Sequence, residues 1–122
     1  MPATDLAPDS LAALVGEWAT LPDAAQALAT DVLKVRQLLR EHQLVAVRRD
    51  GVLVVPALLL QDGQVVKGLA GLLTLLTDAR YTDEEAVRWM FTEDDSLPGR
   101  PVDALRENRG TEVRRRAQAL GF

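Results

Sequence analysis

From Thr30 to Pro56 the chain reads TDVLKVRQLLREHQLVAVRRDGVLVVP, and within that stretch the spacing of its apolar residues switches from a helical to an extended period. Val32, Val35, Leu38 and Leu39 recur every three or four positions, which lines one side of a helix. Leu33, Lys34, Gln37 and Arg40 fall on the other side, with Arg36 on its flank, so one face is apolar and the other cationic. Thr30 is the expected N-cap, and Asp31 suits the positive end of the helix. The β-rich runs LVAV (44–47) and VLVV (52–55) come next, and Asp50-Gly51 between them signals a tight hairpin turn. Pro56 ends the second strand, because it has no N–H to give to a ladder.

A shorter helix is expected just before this stretch. In TLPDAAQALA, Thr20 and Asp23 form a capping pattern, Pro22 sits early, and Ala25 and Leu28 can share a face. Two helices with so tight a junction make a helix-turn-helix, whose second helix fits the major groove of B-form DNA. The hairpin beside it would be a wing with Arg48 and Arg49 at its tip. On that geometry Lys34, Gln37 and Arg40 face bases, while Thr30, Arg36, Arg48 and Arg49 hold phosphates.

Charge at first argues the other way. The net charge is −4, and nucleic-acid binders are usually basic. The average conceals a segregation along the chain. Residues 34–49 hold Lys34, Arg36, Arg40, Arg48 and Arg49 against Glu41 alone, whereas 1–29 carry four acids and neither Lys nor Arg. A local basic face steers an anion even when the total is negative, although most charge runs are simply solvated faces.

Residues 20–60 resemble the winged helix-turn-helix of the MerR/excisionase type, with Ala25, Val32, Val35 and Leu38 at the positions that family packs inside. The turn residue that is commonly glycine there is Ala29 here, and a left-handed backbone at alanine costs about 1 kcal/mol more than at glycine. Nearly the whole chain, through the combination GQVVK, RWMFT and RPVDAL, is similar to a family of small actinobacterial-type winged helix-turn-helix DNA-binding proteins. One mycobacterial member of that family is a substrate of a membrane Ser/Thr kinase, so the resemblance implies a kinase partner and a phosphoacceptor threonine in the N-terminal tail. Thr4 is the only residue that could correspond, and the site is not transferred to it because its neighbours do not match.

The second half reads as helical. VVKGLAGLLTLLTDA is an apolar-rich helix, YTDEEAVRWMFTED opens with a Thr82/Glu85 capping box, and RPVDALREN and TEVRRRAQALG supply two more, with Pro101 near a first helical position and Gly121 at a stop. TEDDSLPGRP between them reads as a loop. This half also resembles the C-terminal toxin-binding domain of Xre/MbcA/ParS-type antitoxins, whose GRP…L motif would be Gly99, Arg100, Pro101 and Leu105 here. Trp89, Met90 and Phe91 are expected in a core rather than on a partner patch. Leu11, Leu14, Val15 and Trp18 suggest an N-terminal helix docked on the domain. Gly68 and Gly71 are read as allowing close helix packing, and Arg114, Arg115 and Arg116 as complementing the negative end of the last helix.

Catalysis finds no support. His42 is the single histidine and reads as a helix-end or surface residue; there is no cysteine, no Gly-rich phosphate loop and no credible nucleophilic set, so neither an enzyme nor a metal or other cofactor is expected. The first residues lack the pattern of a signal peptide and no apolar run is long enough to span a membrane, so a cytoplasmic, nucleoid-associated protein is expected. The resulting expectation is a mainly α chain with a small β-hairpin wing. Residues 1–19 form a tail and helix, 20–61 a winged helix-turn-helix, and 62–122 a C-terminal helical bundle. Its partner would be double-stranded DNA, in transcriptional regulation. The alternative is an antitoxin-like or scaffold module that holds a protein through 62–122. The apolar face of 65–76 is either a homodimer surface or core.

Overall fold

The computed structural model describes residues 8–94 and 99–120, with side chains from Leu11 onward. Thr4, the tip of the 92–101 loop and the Gly121 stop lie outside the described residues. The elements run α1 (Pro8–Val15), β1 (Trp18–Thr20), α2 (Leu21–Ala27), α3 (Val32–Arg40), β2 (Val47–Arg49), β3 (Val52–Pro56), a 3-10 turn at Ala57–Leu59, β4 (Leu60–Gln61), β5 (Gln64–Val65), α4 (Leu69–Asp78), α5 (Asp83–Phe91), α6 (Pro101–Arg106) and α7 (Gly110–Ala119). The chain is mainly helical with a small antiparallel sheet, as its residue patterns indicate.

Each of the two junctions in the helix-turn-helix has a local cause. Thr20 caps α2, its hydroxyl accepting from the Asp23 N–H at 3.2 Å. At the other end the Thr30 N–H returns to the Ala25 carbonyl at 2.9 Å and the Ala29 N–H to Gln26 at 3.1 Å, the two bonds of a Schellman stop. That stop requires a left-handed residue, and Ala29 takes it with φ 55. Ala29 is exposed, so Ala29→Gly is expected to raise stability by about 1 kcal/mol in a denaturant titration. No gain would mean that the freer unfolded chain offsets the relief of strain. The expected cap of α3 is corrected by one residue. Thr30 is consumed in the stop, and the Asp31 carboxylate is the N-cap, accepting from the Lys34 N–H at 2.9 Å.

The hairpin forms where Asp50-Gly51 predicts it, both residues having positive φ as a type I′ turn demands. Its first strand is later than expected: β2 is Val47–Arg49, while Leu44–Ala46 are buried outside the ladder. Pairing runs Val47↔Val54, Arg48↔Leu53 and Arg49↔Val52. A third strand that the periodicity does not announce completes the sheet. Trp18 belongs to no helix: α1 ends at Val15, Gly16 turns with φ 82, and Trp18–Thr20 pairs along β3 as Trp18↔Pro56, Ala19↔Val55 and Thr20↔Val54. The order is β1-β3-β2.

The helix expected over 65–79 begins only at Leu69. Leu60–Gln61 and Gln64–Val65 instead form a second hairpin around Asp62-Gly63, again with positive φ at both turn residues. Gly68 at the start of α4 has φ 91, and a Cβ there would stand 3.5 Å from Leu105 Cδ2. Leu69, Leu72, Leu73 and Leu76 are buried, so the apolar face of 65–76 is core of this chain. Met90 and Phe91 are buried too, and Trp89 is half-buried. One continuous cluster of buried side chains runs from Leu11 to Ala117 through both halves.

Two arginines fasten distant segments. Arg100 pairs with Asp103 (Nε–Oδ2 2.9 Å), lies 5.4 Å from the centre of the Phe91 ring, and donates to the Leu14 carbonyl of α1 at 3.4 Å. Arg106 Nη1 donates to the carbonyls of Leu58 at 2.8 Å and Leu60 at 3.2 Å. The Arg100 hydrogen bond holds the Asp103 carboxyl below its ordinary range, against the opposing effect of burial. A depressed carboxylate adds stability above the unfolded-state pKa and loses it as pH falls through the folded one. Asp103→Asn should therefore flatten the acid limb of the stability profile below about pH 4, measured by thermal melts across pH.

Candidate nucleic-acid interface

The candidate surface is built on α3. Val35 is fully buried, with Val32, Leu38 and Leu39 packed partly against the core, and this fixes which side of the helix looks outward. Leu33, Lys34, Arg36, Gln37 and Arg40 are all exposed. At helical spacing Leu33, Gln37 and Arg40 form the central ridge of that outer face, while Lys34 and Arg36 lie on its two flanks. Sequence reasoning placed Lys34, Gln37 and Arg40 toward bases and passed over Leu33. Its signal was present: Leu33 is an apolar residue on the polar side of an amphipathic helix.

Among the described residues Lys34, Arg36 and Arg40 join no ion pair, whereas Arg100 and Arg109 are paired with Asp103, Glu107 and Glu112. Gln37 is partly engaged, its Nε2 donating to Glu41 at 3.0 Å, with Gln43 Nε2 on the other Glu41 oxygen at 3.3 Å. Glu41 thus adds a negative charge beside the C-terminal end of the ridge. The N-terminal end of α3 is already occupied by the Asp31 carboxylate, so positive charge on this face comes from side chains and not from free helix N–H groups. Thr30 is exposed just ahead of that cap.

The hairpin separates the two wing arginines. As strand neighbours Arg48 and Arg49 project to opposite faces. Arg49 is half-buried, its guanidinium 5.3 Å from the centre of the Trp18 ring, so the unexpected strand β1 holds this side chain in place. Arg48 is exposed, donates to the Gly51 carbonyl at 3.2 Å, and lines a shallow groove with Leu53, Thr82, Asp83 and Glu84. Asp83 and Glu84 therefore temper its charge. His42 has φ 58 and ends α3, the Gln43 N–H returning to Leu38 at 2.9 Å, which is the helix-end role the sequence suggests. No group of carboxylates and histidine that could hold a metal ion occurs among the described residues. No helix there is long and apolar enough to cross a membrane.

Comparison with known proteins agrees with this geometry. Residues 3–60 match the family described as "DNA-binding protein Rv2175c, wHTH domain", and residues 66–121 match the "Rv2175c C-terminal domain of unknown function". The chain is 48% identical over 115 residues to the DNA-binding protein Rv2175c of Mycobacterium tuberculosis (strain ATCC 25618 / H37Rv), covering 84% of this chain and 79% of that protein. This chain belongs to the Rv2175c family. The NMR structure of Rv2175c superposes with a TM-score of 0.80 at 44% identity, covering all of this chain and 90% of that one. The winged helix-turn-helix followed by C-terminal helices is thus the Rv2175c-family fold.

Proposed function

We propose that this chain binds double-stranded DNA through α3 and the wing, and that it works as a transcriptional regulator. One observation carries the reading: in a chain of net charge −4, the outward face of the second helix of a helix-turn-helix displays Lys34, Arg36 and Arg40 exposed and without an acidic partner among the described residues. The relative named for DNA binding shares this winged helix-turn-helix. Gln37 and Arg40 on the ridge would meet base edges. Lys34 and Arg36 on the flanks, with Thr30 ahead of them and Arg48 and Arg49 on the hairpin, would meet phosphates. On this reading the protein acts in the cytoplasm, at the nucleoid.

Fluorescence anisotropy against random-sequence duplex DNA, titrated from low to moderate salt, tests it. With five cations per subunit, the log–log salt slope should be no steeper than roughly −4 to −5 for one subunit. A slope near twice that value would mean that two subunits bind together. Absence of binding even at low salt would overturn the reading, and the search would move to a protein partner of residues 62–122.

Glu41 supplies a gain-of-binding check. Glu41→Gln removes the negative charge beside the ridge and weakens the hold on the Gln37 amide, so DNA affinity should rise about threefold to tenfold, most at low salt. Unchanged affinity would place Glu41 and Gln37 away from the nucleic acid.

A further inference from the structure

Two large apolar side chains stand out in solvent among the described residues, and the more exposed is Leu33, at 76%. It is not at the edge of the domain. It occupies the second position of α3 on the same ridge as Gln37 and Arg40, one turn and two turns away, with Lys34 and Arg36 to either side. No described element of the chain covers it, yet the flanking cations direct this face toward a polyanion. The N-terminal residues of a recognition helix are the ones that meet base edges, and the major groove offers one apolar feature, the C5-methyl group of thymine.

We infer that Leu33 is a specificity-determining residue that packs against a thymine methyl in the major groove, so that the preferred site carries an obligatory thymine opposite the start of α3. This inference rests on the DNA-binding reading above. Its chemistry needs no hydrogen bond: the Leu33 side chain and the methyl group leave water together, while Gln37 and Arg40 remain available for polar base edges.

The experiment starts by enriching bound sequences from a random duplex library with the full chain. Each thymine of the enriched site is then replaced singly by deoxyuridine, which deletes only the methyl. One position should lose about fourfold in affinity, the size expected for one methyl no longer removed from water. With Leu33→Ala, whose side chain is exposed and whose fold is checked by circular dichroism, that same position should show no loss. A deoxyuridine penalty unchanged in the variant, or no penalty at any thymine of an enriched site, overturns the inference and leaves DNA binding standing. Failure of the wild-type chain to bind any duplex overturns both.

Discussion

Changing Arg36 and Arg40 together to alanine is expected to lower affinity for duplex DNA by about a hundredfold at low salt. Each is an exposed guanidinium on the outer face of α3, and each charge-assisted contact to a nucleic acid is worth about 1.5 kcal/mol or more. The salt slope should flatten by about 1 at the same time, because Arg36 no longer neutralises a phosphate, whereas Arg40 meets base edges. The thermal midpoint should hardly move, since neither side chain joins an ion pair or the core among the described residues; loss of Arg40 from the last helical turn removes only a few tenths of a kcal/mol of dipole complementarity. Anisotropy titrations at several salt concentrations read both quantities. If affinity fell while the slope stayed constant, Arg36 would not be neutralising a phosphate.

Arg106→Met should produce the largest loss of stability. The Arg106 guanidinium reaches from α6 to the carbonyls of Leu58 and Leu60, the segment that leaves the wing, and Gln61 Nε2 returns a bond to the Arg106 carbonyl at 3.3 Å. Methionine keeps the aliphatic stem and removes the donors, leaving two partly buried carbonyls without them. The cost is about 2 to 3 kcal/mol, or a midpoint lower by about 10 °C in a thermal melt. Arg106→Lys should recover part of it, since an ammonium supplies donors without the planar fork. A melt unchanged by methionine would mean that water satisfies those carbonyls.

How far the sequence carried the fold can be judged at individual residues. The amphipathic spacing of Val32, Val35, Leu38 and Leu39, the Thr20 cap, the Thr82/Glu85 capping box and the Asp50-Gly51 turn each act within a few residues, and each is found where the pattern indicates. The second hairpin was equally legible, since Asp62-Gly63 repeats the signal of Asp50-Gly51, but the apolar run after it masks the change of period. The Ala29 stop shows a local rule overridden: the left-handed turn forms without glycine because the buried faces of α2 and α3 fix the junction.

Strand β1 belongs to a different class. Nothing in three residues around Trp18 prescribes a strand; they become one because β3, more than thirty residues later, offers an unpaired edge, and backbone N–H and C=O groups there need partners. The same long-range pairing sets Trp18 beneath Arg49 and so decides where one wing cation is held. The sequence by itself determined the helices, their caps, the tight turns and the cationic face of α3, because periodicity, capping and turn chemistry are local. Tertiary structure alone decided that no described element covers Leu33, that Arg49 rests against the Trp18 ring, that the 65–76 face is core, and that Arg100 and Arg106 bind one half of the chain to the other. Those outcomes depend on which surfaces meet after the chain closes on itself, and contacts across 40 to 90 residues leave no period in a sequence.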